Sequence, residues 1–126
     1  MKKIITLILA ALTCLCFAAC APADADKAKT KMEKAGYSVT VADEESTELF
    51  VGEEGVAMVT ATKTEGGLLN LKTYMVSAVL FDSAAAAKKY YEETFKEEDQ
   101  EEGVVYKRSG KWIINGDEES VKAFMK

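Results

Sequence analysis

The chain has no histidine in its 126 residues. That excludes imidazole metal sites and every nucleophile system in which a histidine activates a serine or a cysteine. Its three cysteines, Cys14, Cys16 and Cys20, all fall within the first twenty residues. The remainder has no internal disulfide available to it, and its stability must come from a packed core. The only proline is Pro22. Beyond it, turns and helix ends depend on glycine and on short polar side chains. Basic charge is also scarce: setting aside Lys2 and Lys3, 14 basic side chains face 21 acids, a formal balance of −7 beyond Cys20. That excess opposes nucleic-acid binding, which calls for a basic surface. It gives no broad attraction to an anionic membrane, although local patches can differ.

What is present begins with an address. Lys2 and Lys3 precede an almost unbroken apolar run from Ile4 to Leu15, which ends in Phe17-Ala18-Ala19-Cys20. This is the layout of a secretory signal. Its end resembles the lipobox of bacterial prelipoproteins, with Phe17 where an aliphatic residue is usual. The resemblance implies that Cys20 is the lipidation site and becomes the new N-terminus. It also implies a domain anchored to the cell membrane and facing outside the cytoplasm. Two other processing routes stay open. Ala21-Pro22-Ala23 suits ordinary cleavage, and Ile4 to Ala21 suits a short membrane span. All three leave the domain outside. The expected division is a signal peptide over 1–19, a lipidated tether over 20–26 and one domain over 27–126. Fully extended, the tether reaches about 20 Å.

Within the domain, Asp26 and Gly36 bracket a short helix over Lys27–Ala35, with Ala28, Met32 and Ala35 in a narrow stripe. Lys27, Lys31 and Lys34 run beside that stripe, close to the anchor, and are candidates for membrane contact. Tyr37–Val41 alternates as a half-buried strand. Thr47–Val51 suits either a strand or a helical turn. Val56–Thr64 is rich in β-branched residues and reads as a strand. Glu65-Gly66-Gly67 is a turn, and Lys72–Phe81 is a central strand with apolar groups on both faces. Asp82 or Ser83 caps a helix with Ala84, Ala87, Tyr91 and Phe95 inward, leaving Tyr90 off the stripe. That helix should fray in the acidic run Glu97–Glu102. Val104–Arg108 and Lys111–Asn115 form a hairpin around Ser109-Gly110, with Arg108 opposite Lys111. Asp117 caps a last helix anchored by Val121, Phe124 and Met125. The expected fold class is α+β: a single small domain with a mainly antiparallel sheet of four to five strands and three short helices.

One motif occurs twice. Asp43-Glu44-Glu45-Ser46 with Phe50 is echoed by Asp117-Glu118-Glu119-Ser120 with Phe124. Acidic residues favour helix starts, so the echo needs no duplication to explain it.

The segments Lys34–Val39, Phe81-Asp82-Ser83 running into Ala87–Glu93, and Gly110–Ile114 running into Glu118–Lys122 resemble small extracytoplasmic lipoproteins of Gram-positive bacteria. The resemblance implies a small α+β domain and carries no catalytic residue across.

The run Glu97–Glu102 lacks the alternating ligands and central glycine of an EF-hand loop. No cofactor or metal site is expected, and no carboxylate pair stands out as catalytic. The one basic-aromatic constellation is the hairpin tip Lys107, Arg108 and Lys111 with Trp112. Its cations suit a phosphate-rich polymer, a lipid headgroup or an acidic partner, and Trp112 suits stacking on a planar group. The sequence therefore points to a non-enzymatic binding or interaction domain of the cell envelope. Its expected partners are the membrane, through Cys20, and an envelope protein or anionic polymer. The alternatives are a small-solute module with a pocket between helices and sheet, and a hydrolase using carboxylates alone.

Overall fold

The computed structural model describes residues 21–96 and 100–126. The chain runs α1 (Ala25–Lys34), β1 (Ser38–Ala42), α2 (Glu44–Val51), β2 (Gly55–Glu65), β3 (Lys72–Phe81), α3 (Ala84–Thr94), β4 (Val105–Ser109), β5 (Trp112–Gly116) and α4 (Glu118–Met125). The five strands form one antiparallel sheet in the order β1-β2-β3-β5-β4. The fold is α+β, with four helices among the described residues where three were expected. The extra one, α2, settles the Thr47–Val51 ambiguity in favour of helix. Asp43 caps it, accepting a hydrogen bond from the Ser46 N–H at 2.9 Å, and Gly52 ends it at φ 98°. Thr47 is completely buried there, its hydroxyl donating to the Asp43 carbonyl at 2.6 Å. A β-branched residue thus sits in a helix with its polar atom satisfied locally.

Each face of the sheet has its own core. On the first, α1 and α4 lie over Val59, Ala61, Val76, Ala78, Trp112 and Ile114, contributing Ala28 and Met32 from α1 and Val121 and Phe124 from α4. On the second, α3 and the end of α2 cover Phe81 and Ile113. Tyr91 and Phe95 belong to this second core, as their stripe predicts, on the face that carries Val79 and Phe81. The stripe itself is rotated from expectation. Ala84 is exposed, and Ala86 joins Ala87 inside. Tyr90 is not off the stripe: its ring lies 5.2 Å from that of Phe81. A wide sheet surface accepts two adjacent helix rows rather than one, so neighbouring residues can both pack. Among the described residues no helix covers the part of this face formed by Thr40, Thr60, Thr62 and Ser77, and Met75 beside them is half exposed. Hydroxyl side chains suit a strand surface left in water.

The N-terminal segment differs from a free tether. Asp24, not Asp26, caps the first helix, accepting from the Lys27 N–H at 2.8 Å. The Pro22 carbonyl accepts a hydrogen bond from the Trp112 indole at 2.7 Å, and Ala21 packs against the first core. The acidic residues Glu97, Glu98 and Asp99 lie outside the described residues, and α3 stops at Thr94, before them.

Candidate functional site

The β4–β5 hairpin keeps a two-residue turn, placed one residue later than expected. Ser109 pairs with Trp112, so Gly110-Lys111 forms the turn, with Gly110 at φ 58°. Arg108 faces Ile113 and Lys107 faces Ile114, so the expected Arg108–Lys111 pair does not form. Each residue's partner moves by two positions, which changes neighbours but not faces, because strand side chains repeat every two residues. Placing the positive-φ glycine first in the turn, where Ser109 would otherwise stand, and removing a like-charge pair both favour the observed register.

Trp112 does not join the tip constellation. It is 2% exposed, its ring stands edge-on to Phe124 at 5.1 Å, and its only N–H is used by Pro22. Stacking on a ligand from that position would require dismantling the first core. Lys107, Arg108 and Lys111 are exposed. What remains of the candidate is three cations at a hairpin end, beside Ala21, Pro22 and Ala23, with which Lys111 shares a shallow depression.

The larger concavity lies elsewhere. An open groove of about 950 Å³ runs between α1 and α4 and is floored by Tyr74 of β3. Its lining carries Lys31 and Lys34 of α1, Lys122 of α4, Lys126 just beyond α4 and Lys72 of β3, with Asp117, Glu118 and Glu119 among them. Lys31 is partly committed, donating to the Phe124 carbonyl at 2.9 Å. Lys122 is paired with Glu118 at 3.0 Å, one helical turn earlier. Lys72 stands over the Tyr74 ring at 5.2 Å, and Lys63 lies over both Tyr37 and Tyr74. Sequence reading found Lys31 and Lys34. It missed the rest, because only the antiparallel packing of α1 and α4 on one sheet face brings the C-terminal residues alongside them.

Beside the groove runs a buried polar chain. The Tyr37 hydroxyl is 3.0 Å from Ser120 Oγ, and Ser120 Oγ donates to Asp117 Oδ2 at 2.8 Å. Ser120 has one hydrogen to give, so Tyr37 is the donor in the first bond. Asp117 Oδ2 also accepts from the Met75 N–H at 2.6 Å, and Oδ1 from the Ser120 N–H at 2.9 Å. Burial pushes the Asp117 carboxyl up, but the bonds from Ser120 and Met75 outweigh it and hold it below the usual carboxylate range. A tyrosine, a serine and an aspartate in sequence suggest nucleophile chemistry at first sight. Ser120 is completely buried, however, and Asp117 spends both its oxygens capping α4 and tying it to β3. The group works as a structural clamp.

No group of three cysteine or acidic side chains is placed to hold a metal ion among the described residues. None of their helices is long and apolar enough to cross a membrane. No family model, curated protein or solved structure matches the chain.

Proposed function

We propose that the chain is a lipid-anchored domain on the outer side of the cell membrane that acts by binding another envelope component. The support is the junction between signal and fold. The prelipoprotein signal ends in Cys20, and the very next residues, Ala21 and Pro22, are built into the first core and bonded to Trp112. A cysteine lipidated at that position leaves almost no free linker, so the bilayer becomes part of the domain's immediate surroundings. Lipid attachment at Cys20 is tested by metabolic labelling with a tagged fatty acid and by intact mass. Wild type should carry the label and lack residues 1–19, and Cys20→Ala should be unlabelled and either unprocessed or shed to the medium. A mature chain starting at Asp24 or later rules the anchor out.

A second reading, an anion-binding module, draws on the α1–α4 groove. Its lysines would supply charge-assisted hydrogen bonds to a phosphate or carboxylate. It differs from the pocket expected between helices and sheet, since that interface is filled by Met32, Val121 and Phe124. Calorimetric titration of inorganic phosphate and pyrophosphate into wild type and a Lys34→Gln, Lys72→Gln double variant tests it. Heat that persists unchanged in the variant would dismiss the groove.

A further inference from the structure

The two most exposed large apolar side chains among the described residues are neighbours in one loop, and a second exposed pair, Leu49 and Phe50, lies on α2. Leu68 and Leu69 are 97% and 96% exposed, and Leu71 is 63% exposed. They occupy the loop between β2 and β3. Those two strands outrun their neighbours: β1 pairs with β2 only as far as Thr62, and β5 pairs with β3 only from Val76. The pairs Lys63–Tyr74, Thr64–Thr73 and Glu65–Lys72 therefore form a two-stranded arm beyond the sheet. The loop at its end has a defined backbone. Gly66 has φ +106°, and the Asn70 carbonyl fills the space a Cβ would need there. Asn70 N–H in turn bonds the Gly67 carbonyl at 3.1 Å. Three leucines held outward on such a turn serve no core in this chain. Isolated exposed leucines are ordinary, but a cluster on a projecting tip marks a contact.

The side of the arm can be read from the strand period. Lys63, Lys72 and Tyr74 share the face of Ala61 and Val76, which is the face covered by α1 and α4. The leucines are thus backed by two lysines and a tyrosine on the side of the lysine-lined groove. The chain leaves the domain on that side too, since Ala21 packs into the same core. Charge follows the same division. Residues 24–34, 63–72 and 117–126 together carry eight lysines and seven acids, whereas the rest of the chain beyond Cys20 carries six basic and fourteen acidic residues. Two of the seven acids pair with two of the eight lysines, Glu118 with Lys122 and Glu65 with Lys63, and Asp117 is held in the cap of α4. An anionic surface approaching the domain meets least repulsion here.

From these observations we infer that the α1–α4 layer and the β2–β3 tip form a second contact with the bilayer. The domain lies along the membrane, with Leu68, Leu69 and Leu71 in the interfacial region. Lys34, Lys72 and Lys126 rest over anionic lipid headgroups, and the Cys20 anchor is at the other end. The strands set the span: ten residues of β3 separate the two ends by about 30 Å, so an upright domain could not bring both to one surface. Lysine stems and tyrosine rings suit the boundary behind an inserted apolar tip. Acyl chains together with basic residues form a two-signal attachment that neither achieves alone. The identity of the bilayer as occupant rests on the proposed anchor. The chemistry of the tip does not.

The test uses the processed chain purified from membranes, carrying Leu69→Cys labelled with an environment-sensitive dye. Lipid on Cys20 leaves the introduced thiol as the only reactive one. A parallel sample carries Glu93→Cys on α3. The probe is vesicles of phosphatidylcholine, with and without phosphatidylglycerol, and with nitroxide-labelled lipid as quencher. The expected result is a blue-shifted, quenched dye at position 69, more so with phosphatidylglycerol, and a dye at position 93 that stays in water. Adding Lys34→Gln, Lys72→Gln and Lys126→Gln should abolish the phosphatidylglycerol dependence. A vesicle-bound chain whose position 69 stays in water overturns the inference, and leaves the tip to an apolar cleft on a protein. Should Cys20 prove unlipidated, the same labelling is done with Cys14, Cys16 and Cys20 changed to alanine, and quenching at position 69 by added vesicles still decides the tip on its own.

Discussion

Helices α2 and α4 start from nearly the same words and end in opposite environments. Both begin Asp-Glu-Glu-Ser, and in both the aspartate accepts from the serine N–H at 2.9 Å. Both carry a phenylalanine seven residues after the cap. Phe124 is completely buried, whereas Phe50 is 70% exposed, next to Leu49 at 84%. The difference comes from what each helix lies on. α4 packs on the sheet beside α1, and its Ser120, Val121 and Phe124 are all buried. α2 covers only the end of the sheet near Gly55, and among its residues only Thr47 is fully buried. A local motif can thus specify a helix and its first turn while saying nothing of which side will be covered.

The sharpest separation should come from the two phenylalanines. Phe124→Ala should cost about 3–5 kcal/mol, as for other buried aromatic truncations. Phe50→Ala should change stability by no more than about 0.5 kcal/mol, the range for surface substitutions. Both are read from denaturant unfolding. Equal costs would mean that α2 packs in solution as α4 does.

The glycines beside the two helices make the next test. A Cβ at Gly116 would meet the Met75 carbonyl oxygen at 2.3 Å and Val76 Cα at 2.8 Å, both backbone atoms. At Gly55 it would meet Val51 Cγ2 at 2.5 Å and Thr47 Cγ2 at 2.8 Å, both side-chain atoms. Backbone cannot turn aside, so Gly116→Ala should cost about 1–3 kcal/mol, the range for overpacking, and Gly55→Ala less. The reverse order in thermal melts would place the rigid contact under α2.

Ser120→Ala should cost about 1–3 kcal/mol, because it leaves the buried Tyr37 hydroxyl without its partner. Tyr37→Phe in the same background should then restore part of the loss. Ser46→Ala, at a half-buried position, should cost less than Ser120→Ala. Absence of any coupling between positions 37 and 120 in a double-mutant cycle would break the clamp.

The smallest effect concerns acid. Asp117 and Asp43 both have lowered pKa values, Asp43 through the Ser46 N–H first of all. A carboxyl whose folded pKa is depressed stabilises the fold fully above its unfolded pKa of about 3.9, and that gain is lost as pH falls towards the folded value. Asp117→Asn keeps a capping side chain but removes the charge. It should therefore flatten the decline in stability below about pH 4, and more than Asp43→Asn does, since Asp117 holds β3 as well as its own helix. Indistinguishable acid profiles for the two variants would show that the Met75 bond contributes nothing beyond the cap.

The α+β class, the cap at Asp117, the β2–β3 hairpin and the inward set of β3 were legible, because each rests on local chemistry or on a period of two; the β4–β5 hairpin was legible in its strands but not in its register. Tyr91 and Phe95 were legible for the same reason, through helical spacing. The first helix began earlier than its stripe implied, because Asp24 caps as well as Asp26 does, and Ala25 carries no polar signal. The identity of α2 was not legible in five residues that suit either state, and its tertiary setting over Gly55 decided it. Beside three cations in sequence, Trp112 suits a stacking surface, yet in the fold it is a core ring. That choice was made by Pro22, ninety residues away, whose carbonyl satisfies the indole.

Sequence by itself determined the absence of histidine and of any disulfide beyond Cys20, the alternation of the strands and the start of most helices. These depend on neighbours within a few residues. Only the tertiary structure decided that α1 and α4 lie side by side, gathering lysines from both chain ends around Tyr74. It also decided that the leucines of the β2–β3 loop stand beyond the sheet, and that one Asp-Glu-Glu-Ser helix is buried while its twin is bare. Burial is a property of what the rest of the chain brings to a surface, and no stretch of eight residues carries that information.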